Sequence, residues 1–116
     1  GKELLRAFAT EAANGLVTAV ALRFPYIACE VNEEYITFSF ESHDNSRGHL
    51  LPMLKQALND YLVNEITVLW LTLRQPQMAQ TNIALRSALY SNVQQMFAKF
   101  YNRNKVRRRP TNLAGI

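Results

Sequence analysis

The sequence predicts an α+β fold: a three-stranded, mainly antiparallel sheet packed against helices, followed by a basic C-terminal tail. Two segments alternate apolar and polar residues as half-buried strands do. Other segments repeat apolar residues every three or four positions, as amphipathic helices do. The last fifteen residues have few apolar anchors. We therefore expect one α+β domain over residues 1–101 and a basic, mobile tail over residues 102–116.

The N-terminal region is predicted to be two helices. Apolar residues between Lys2 and Asn14 form one stripe at helical spacing. Asn14 and Gly15 are typical of a helix end, so residues 16–23 are expected to form a second, shorter helix. Pro25 disfavours helix at the residue before it.

A β-hairpin is predicted next, because residues 26–31 and 35–41 both alternate with a period of two. The polar residues 32–34 between them have the length of a turn. Tyr26 and Tyr35 are expected on the outward face of this hairpin. The inward positions are Ile27, Cys29, Val31, Ile36, Phe38 and Phe40.

The second half of the domain is read as helix, strand, helix. The first helix covers residues 50–62, with Asp44 or Ser46 as its cap. Pro52 is expected in its first turn, or else the helix starts at Leu51. Residues 66–73 are apolar on both faces, which favours a central strand, and residues 81–101 form the last helix. The predicted core consists of Phe38, Phe40, Leu54, Leu58, Val68, Trp70, Leu89 and Phe97.

Charge is distributed very unevenly along the chain. Residues 1–65 hold five Lys or Arg and nine Asp or Glu, a formal charge of −4, whereas residues 66–116 hold eight cations and no acid, +8. A cationic end of this kind typically contacts an anionic partner, so nucleic-acid binding is one prediction, and a solubilising tail or linker is the other. The residues predicted to bind nucleic acid are Lys99, Arg103, Lys105, Arg107, Arg108 and Arg109, with Tyr26 and Tyr35 stacking on bases.

Enzymatic motifs are missing from the sequence. Its four glycines are too scattered for a phosphate-binding loop. The best metal-ligand cluster is Glu41, His43, Asp44 and His49, whose spacing matches no zinc signature and better suits a solvated loop. Cys29 lies at an inward strand position, where a thiol is usually inert, although pairing with His43 or His49 is possible. We predict no enzyme, no catalytic residue, no cofactor and no metal.

Composition also indicates the compartment. The single cysteine excludes an intramolecular disulfide and fits a reducing environment. Charges of both signs interrupt the N-terminus, which argues against a signal peptide, and no run of 18 apolar residues exists to span a membrane. A cytoplasmic protein without membrane contact is therefore expected.

Residues 3–100 resemble the C-terminal module of the tau subunit of the bacterial DNA polymerase III clamp loader. The resemblance is carried by the order of predicted elements and by the run from Ala21 to Phe40, and in both a short helical stretch, here Leu16–Leu22, precedes the hairpin. A helix like residues 50–61 and a strand like residues 66–73 follow in that family. The resemblance implies a K-homology-like fold without enzymatic activity. Its implied role is to dock a polymerase subunit by binding that subunit's C-terminal tail.

Three functions follow as expectations. The first is a protein-interaction module of the bacterial replication machinery, with a peptide groove between the last helix and the sheet. The second is a nucleic-acid-binding domain that uses the basic end and the two tyrosines. The third is a small oligomeric protein that pairs through the apolar segment 66–73. The sequence leaves the partner's identity and the oligomeric state open.

Overall fold

Three α-helices and one β-hairpin build the fold. A computed structural model describes residues 2–24, 26–40 and 45–101. In chain order the elements are α1 (Lys2–Ala21), β1 (Ala28–Val31), β2 (Ile36–Ser39), a 3-10 helix (Asn45–Leu50), α2 (Leu51–Arg74), a second 3-10 helix (Pro76–Ala79) and α3 (Gln80–Tyr101). The predicted single domain over residues 1–101 and tail over residues 102–116 stay a prediction, since the tail lies outside the described residues.

The predicted three-stranded, K-homology-like sheet is wrong, because the segment Ile66–Leu73 is the second half of α2. An apolar run suits a buried helix as well as a central strand, and periodicity alone does not separate the two. No glycine or proline interrupts residues 53–75, so the helix that begins at Leu51 continues to Arg74. It ends where Gln75 precedes Pro76, with φ −146° and ψ 77°.

The start of α2 agrees in part with the prediction. Pro52 lies in its first turn, where its missing N–H costs no hydrogen bond. The residue at the N-cap position is Leu50, which makes no side-chain cap, because a 3-10 helix leads directly into α2. Of the two predicted caps, Asp44 lies outside the described residues and Ser46 falls within that 3-10 helix.

The two predicted N-terminal helices are one continuous helix, α1. Ala12, Ala13, Leu16 and Val20 are all buried, so one apolar face runs past Gly15 without a break. A glycine inside a helix costs about 1 kcal/mol relative to alanine. Packing along that face offsets the cost and keeps the helix intact.

The predicted hairpin forms, but its strands are Ala28–Val31 and Ile36–Ser39, shorter than the predicted residues 26–31 and 35–41. Its antiparallel register pairs Cys29 with Phe38 and Val31 with Ile36. The side-chain oxygen of Asn32 accepts the backbone N–H groups of Glu34 and Tyr35 at 3.0 and 2.9 Å, which fixes the turn. All six predicted inward residues are buried or half-buried, and both tyrosines are exposed.

The main core joins α1, the hairpin, the first half of α2 and the second half of α3. The ring of Phe97 lies 6.1 Å from that of Phe24 and 5.3 Å from that of Phe40, and the ring of Phe100 also lies 5.3 Å from that of Phe40. Of the predicted core, Leu54, Leu58, Val68 and Phe97 are buried, whereas Phe38, Phe40, Trp70 and Leu89 are half-buried.

The helices α2 and α3 form an antiparallel pair whose far end we call the distal arm, residues 67–88. Polar contacts join the two helices at its base. Asn64, only 5% exposed, donates to the carbonyl oxygen of Asn82 at 2.9 Å and accepts from the Asn82 side chain at 2.9 Å. Glu65 and Arg86 form an ion pair. None of the helices described has the length and apolar content needed to cross a membrane.

Candidate functional site

An open groove lies between α1, the hairpin and α2, and we call it the α1–β2–α2 groove. Its volume is about 1410 Å³. The N-terminal half of α1, the turn and β2, and the stretch of α2 from Leu51 to Ile66 line it. This position differs from the expected groove between the last helix and the sheet, because α3 contributes no lining residue.

The dimensions of the groove suit a polypeptide segment. The lining stretch of α2 is about 15 residues long, or roughly 22 Å at 1.5 Å per residue. An extended chain of about seven residues covers that length. Pockets for small molecules typically measure about 300–1,000 Å³ and enclose most of the ligand, whereas this groove is larger and open.

The edge of β2 faces the groove. β2 pairs only with β1 within the described residues, and the consecutive residues 35–38 all line the groove. The N–H of Asn32 donates to the carbonyl oxygen of Tyr35 at 3.0 Å, and hydrogen-bonded pairs alternate along an antiparallel ladder. Thr37 is therefore bonded to β1, while the backbone N–H and C=O groups of Ile36 and Phe38 point to the open edge.

The surface of the groove is apolar with a charged rim. Leu5, Leu51 and Val63 are large apolar residues that stay exposed although they line a concave surface. The charged residues lining the groove are Glu3 and Arg6 of α1, Glu33 and Glu34 of the turn, and Lys55 of α2. Carboxylates thus outnumber cations by three to two, in the half of the chain that is acidic overall.

Cys29 of β1 does not line the groove and has the properties of a packing residue. Burial raises the pKa of its thiol. The thiol donates to the side-chain oxygen of Asn14 at 3.4 Å. A neutral thiol bonded to an amide is a weak nucleophile, so the predicted inert role fits this geometry.

Only part of the predicted nucleic-acid set lies within the described residues. Lys99 is exposed in the last turns of α3. Tyr26 and Tyr35 are 74% and 62% exposed, but they lie at opposite ends of the hairpin, up to about 20 Å apart along the strands. They do not form one stacking platform. Arg103, Lys105, Arg107, Arg108 and Arg109 lie outside the described residues.

Of the four metal-ligand candidates considered from the sequence, only one lies within the described residues. Glu41, His43 and Asp44 lie outside the described residues, and His49 is exposed. Within the part of the chain that the structure describes, no three His, Cys, Asp or Glu residues lie close enough to hold a metal ion.

Comparisons with protein-family models, with curated proteins and with solved structures find no match to this chain.

Sequence reasoning missed the residues that make the groove. Leu5 and Leu51 belong to the apolar patterns that predict the first helix and the helix over residues 50–62, and neither those patterns nor the motifs single out Val63, so nothing in the sequence marks the three as one surface. The signal that could have found the groove is the hairpin itself: a two-stranded ribbon always has two unpaired edges. The sequence pattern hides that signal, because it predicts a third strand at residues 66–73 that would pair with the hairpin.

Proposed function

We propose that this chain is a non-enzymatic protein-interaction module whose α1–β2–α2 groove binds an extended segment of a protein partner. The observation that supports this proposal most strongly is the open edge of β2, where the backbone N–H and C=O groups of Ile36 and Phe38 point into an apolar groove. A partner strand paired to this edge would satisfy those groups and bury the exposed apolar residues beside them. Strand addition of this kind is a common mode of peptide recognition.

The lining of the groove favours a partner segment with apolar and cationic side chains. Leu5, Leu51 and Val63 offer apolar contact to alternate side chains of a bound strand. Glu33 and Glu34 lie at the turn end of β2, where they favour a Lys or Arg in the partner.

The replication machinery remains a prediction about the partner's identity. The resemblance to the tau module implies a polymerase subunit tail as the ligand. Its pattern has a strand where this chain has the second half of α2, so the family's docking mode is not transferred. A polymerase subunit tail is one partner to test among peptides of the stated chemistry.

The test is a selection from a displayed library of random peptides, about ten residues long to match the groove, against the full chain. The most enriched peptide is then titrated into wild-type protein and into Val63→Ser by fluorescence anisotropy. Because the substitution removes apolar contact inside the groove, we expect Kd to rise about tenfold.

A matched control lies on the same helix. Leu73 of α2 is 59% exposed and does not line the groove, whereas Val63 is 54% exposed and does. Leu73→Ser is expected to change Kd by less than about twofold. Failure to enrich any peptide, or equal effects of the two substitutions, would overturn the proposed function.

A second candidate function, nucleic-acid binding, is favoured by the end of the molecule where α3 terminates. The ring of Phe24 lies 6.1 Å from that of Phe97, and the exposed residues Arg23, Tyr26 and Lys99 each lie within two positions of one of these two rings in the sequence. Tyr26 adopts φ 69°, a backbone region that costs non-glycine residues about 1–3 kcal/mol and recurs at functional sites.

Salt dependence tests this second candidate. If the cations engage about five phosphates, log K against log[salt] should have a slope of about −3.5 on single strands and about −4.5 on duplex. Tyr26→Ser should weaken single-strand binding without changing that slope, because it removes stacking and no charge. Binding of neither single-stranded nor duplex probe at low salt would exclude this function.

A further inference from the structure

The inference concerns what fills the groove when no partner is bound, and it rests on the proposed function. We propose that the chain's own basic segment, residues 102–116, docks in the α1–β2–α2 groove and competes with the partner. Three observations support this proposal: the position at which α3 ends, the length of the fifteen-residue segment, and the opposite charges of the segment and the groove.

The basic segment starts beside one end of the groove. Phe40 lines the groove, and its ring lies 5.3 Å from the ring of Phe100 in the last turn of α3. α3 ends one residue later, at Tyr101. The chain that follows is therefore delivered to the Phe40 end, with the turn residues Glu33 and Glu34 at the other end of β2.

The length of the segment is sufficient. Fifteen residues span up to about 50 Å when extended, and the groove is roughly 22 Å long. Docking therefore needs no movement of α3. The segment can run from Tyr101 along the groove to the turn with residues to spare.

The chemistry of the segment matches the partner chemistry derived above. It carries five cations and no acid, together with the apolar residues Val106, Leu113 and Ile116. The groove presents exposed leucines and valine and an excess of carboxylates from α1 and from the turn. Tethering also raises the effective concentration of the segment at the groove, so weak contacts suffice.

The experiment is paramagnetic relaxation enhancement in the full chain. A spin label is attached at Asn112→Cys in a Cys29→Ala background, after the amide spectrum has shown that the background keeps the fold. We expect broadening of groove amides, including those of Val31, Ile36 and Val63, and no broadening of Leu73 or Leu85 in the distal arm. The broadening should fade between about 50 mM and about 500 mM NaCl, because salt screens the contact of exposed charges.

Two triple variants with the same change in formal charge provide the matched control. Glu3→Lys/Glu33→Lys/Glu34→Lys reverses the carboxylates that line the groove. Glu11→Lys/Glu30→Lys/Asp60→Lys reverses three exposed carboxylates that do not. The first variant should abolish the broadening and the second should retain it.

A second measurement avoids cysteine variants altogether. In wild-type protein, amide exchange at Ile36 and Phe38 should accelerate as salt rises from about 50 to about 500 mM, while Thr37, already bonded to β1, should change little.

The remaining outcomes contradict the proposal in separable ways. Absence of broadening, with selected peptides still bound in the groove, would overturn the docked segment and leave the proposed function standing. Broadening that appears only between labelled and unlabelled molecules would assign the occupant to a second copy. Loss of broadening in both charge variants alike would reduce the contact to general attraction between charges.

Discussion

The two ends of the α2–α3 pair are held together by different forces. At the proximal end, where α1 and the hairpin also pack, the contacts are apolar and aromatic and centre on Phe97, which is fully buried. The distal arm has similar apolar residues, yet its base is secured by an amide pair and an ion pair. Several of its large apolar side chains, including Leu73 and Leu85, stay exposed.

The difference teaches that apolar composition alone does not locate the core. Residues 66–73 are among the most apolar in the chain, but only Val68 of that segment is buried. A side chain becomes core where a third element covers the helix pair, and α1 and the hairpin cover the proximal end. Stability should therefore depend strongly on proximal apolar residues and weakly on distal ones.

The largest expected effect comes from Phe97→Ala. This side chain fills the centre of the proximal cluster, so its removal should lower the free energy of unfolding by about 3–5 kcal/mol. Leu85→Ala in the distal arm, at a position 47% exposed, should cost less than about 1 kcal/mol. Urea denaturation measures both, and similar losses at the two sites would refute the contrast.

The next largest loss of free energy of unfolding is expected for Asn64→Ala, which removes a hydrogen-bonding side chain from the base of the distal arm. The Asn82 amide would lose its partner, and an unsatisfied part-buried group costs about 1–3 kcal/mol. Asn59→Ala, on an exposed position of the same helix, is the control and should change the free energy of unfolding by less than about 0.5 kcal/mol. Equal values for the two variants would show that the amide pair contributes nothing.

Gly15→Ala should have a smaller effect of opposite sign. Gly15 lies inside α1, and a Cβ added there meets no atom within 4 Å. Alanine should therefore stabilise the protein by about 0.5–1 kcal/mol, chiefly through the lower conformational entropy of the unfolded chain. A destabilisation in thermal or urea unfolding would mean that α1 is interrupted at this position.

The smallest effect on the free energy of unfolding at neutral pH is expected for Tyr61→Phe. The ring of Tyr61 lies 6.0 Å from that of Tyr90, between the two ends of the α2–α3 pair. Burial, followed by the nearby Glu65 carboxylate, raises the pKa of Tyr61 to about 12. The folded state thus holds this proton more tightly than the unfolded state, whose tyrosine titrates near 10. Stability from this group is complete below about pH 10 and declines as pH rises toward 12.

Tyr61→Phe sharpens that prediction, because it removes the titrating group and keeps the ring. The free energy of unfolding of the variant should fall less steeply between about pH 10 and 12 than that of wild type. Parallel pH profiles would assign the alkaline decline to other groups.

Much of the fold follows from local pattern. The hairpin, its inward residues and the last helix were predicted because period-two alternation and helical spacing are local properties of the chain. The extent of α2 does not follow from local pattern. Residues 66–73 show no regular spacing of polar residues, so whether they form helix or strand depends on what packs against them. Continuity of α1 through Gly15 likewise depends on tertiary contacts that no short window contains.

The candidate site was harder to predict than the fold. Its apolar lining comes from three elements distant in sequence, and the edge of β2 is open only because residues 66–73 are helical. The sequence did indicate a cationic end without acidic residues, and the acidic first half that complements it. It did not indicate that Tyr26 and Tyr35 lie at opposite ends of the hairpin, since both occupy outward positions in the pattern.

Amide hydrogen exchange of the full chain at about 500 mM NaCl, where the basic segment is released from the groove, with and without the selected peptide, tests the central claim most directly. If a partner strand pairs with the open edge of β2, protection at Ile36 and Phe38 should rise about tenfold, while Thr37 and the distal-arm amides change little. Protection confined to the distal arm, or no change at Ile36 and Phe38 in a saturated complex, would contradict the assignment of the groove as the docking site.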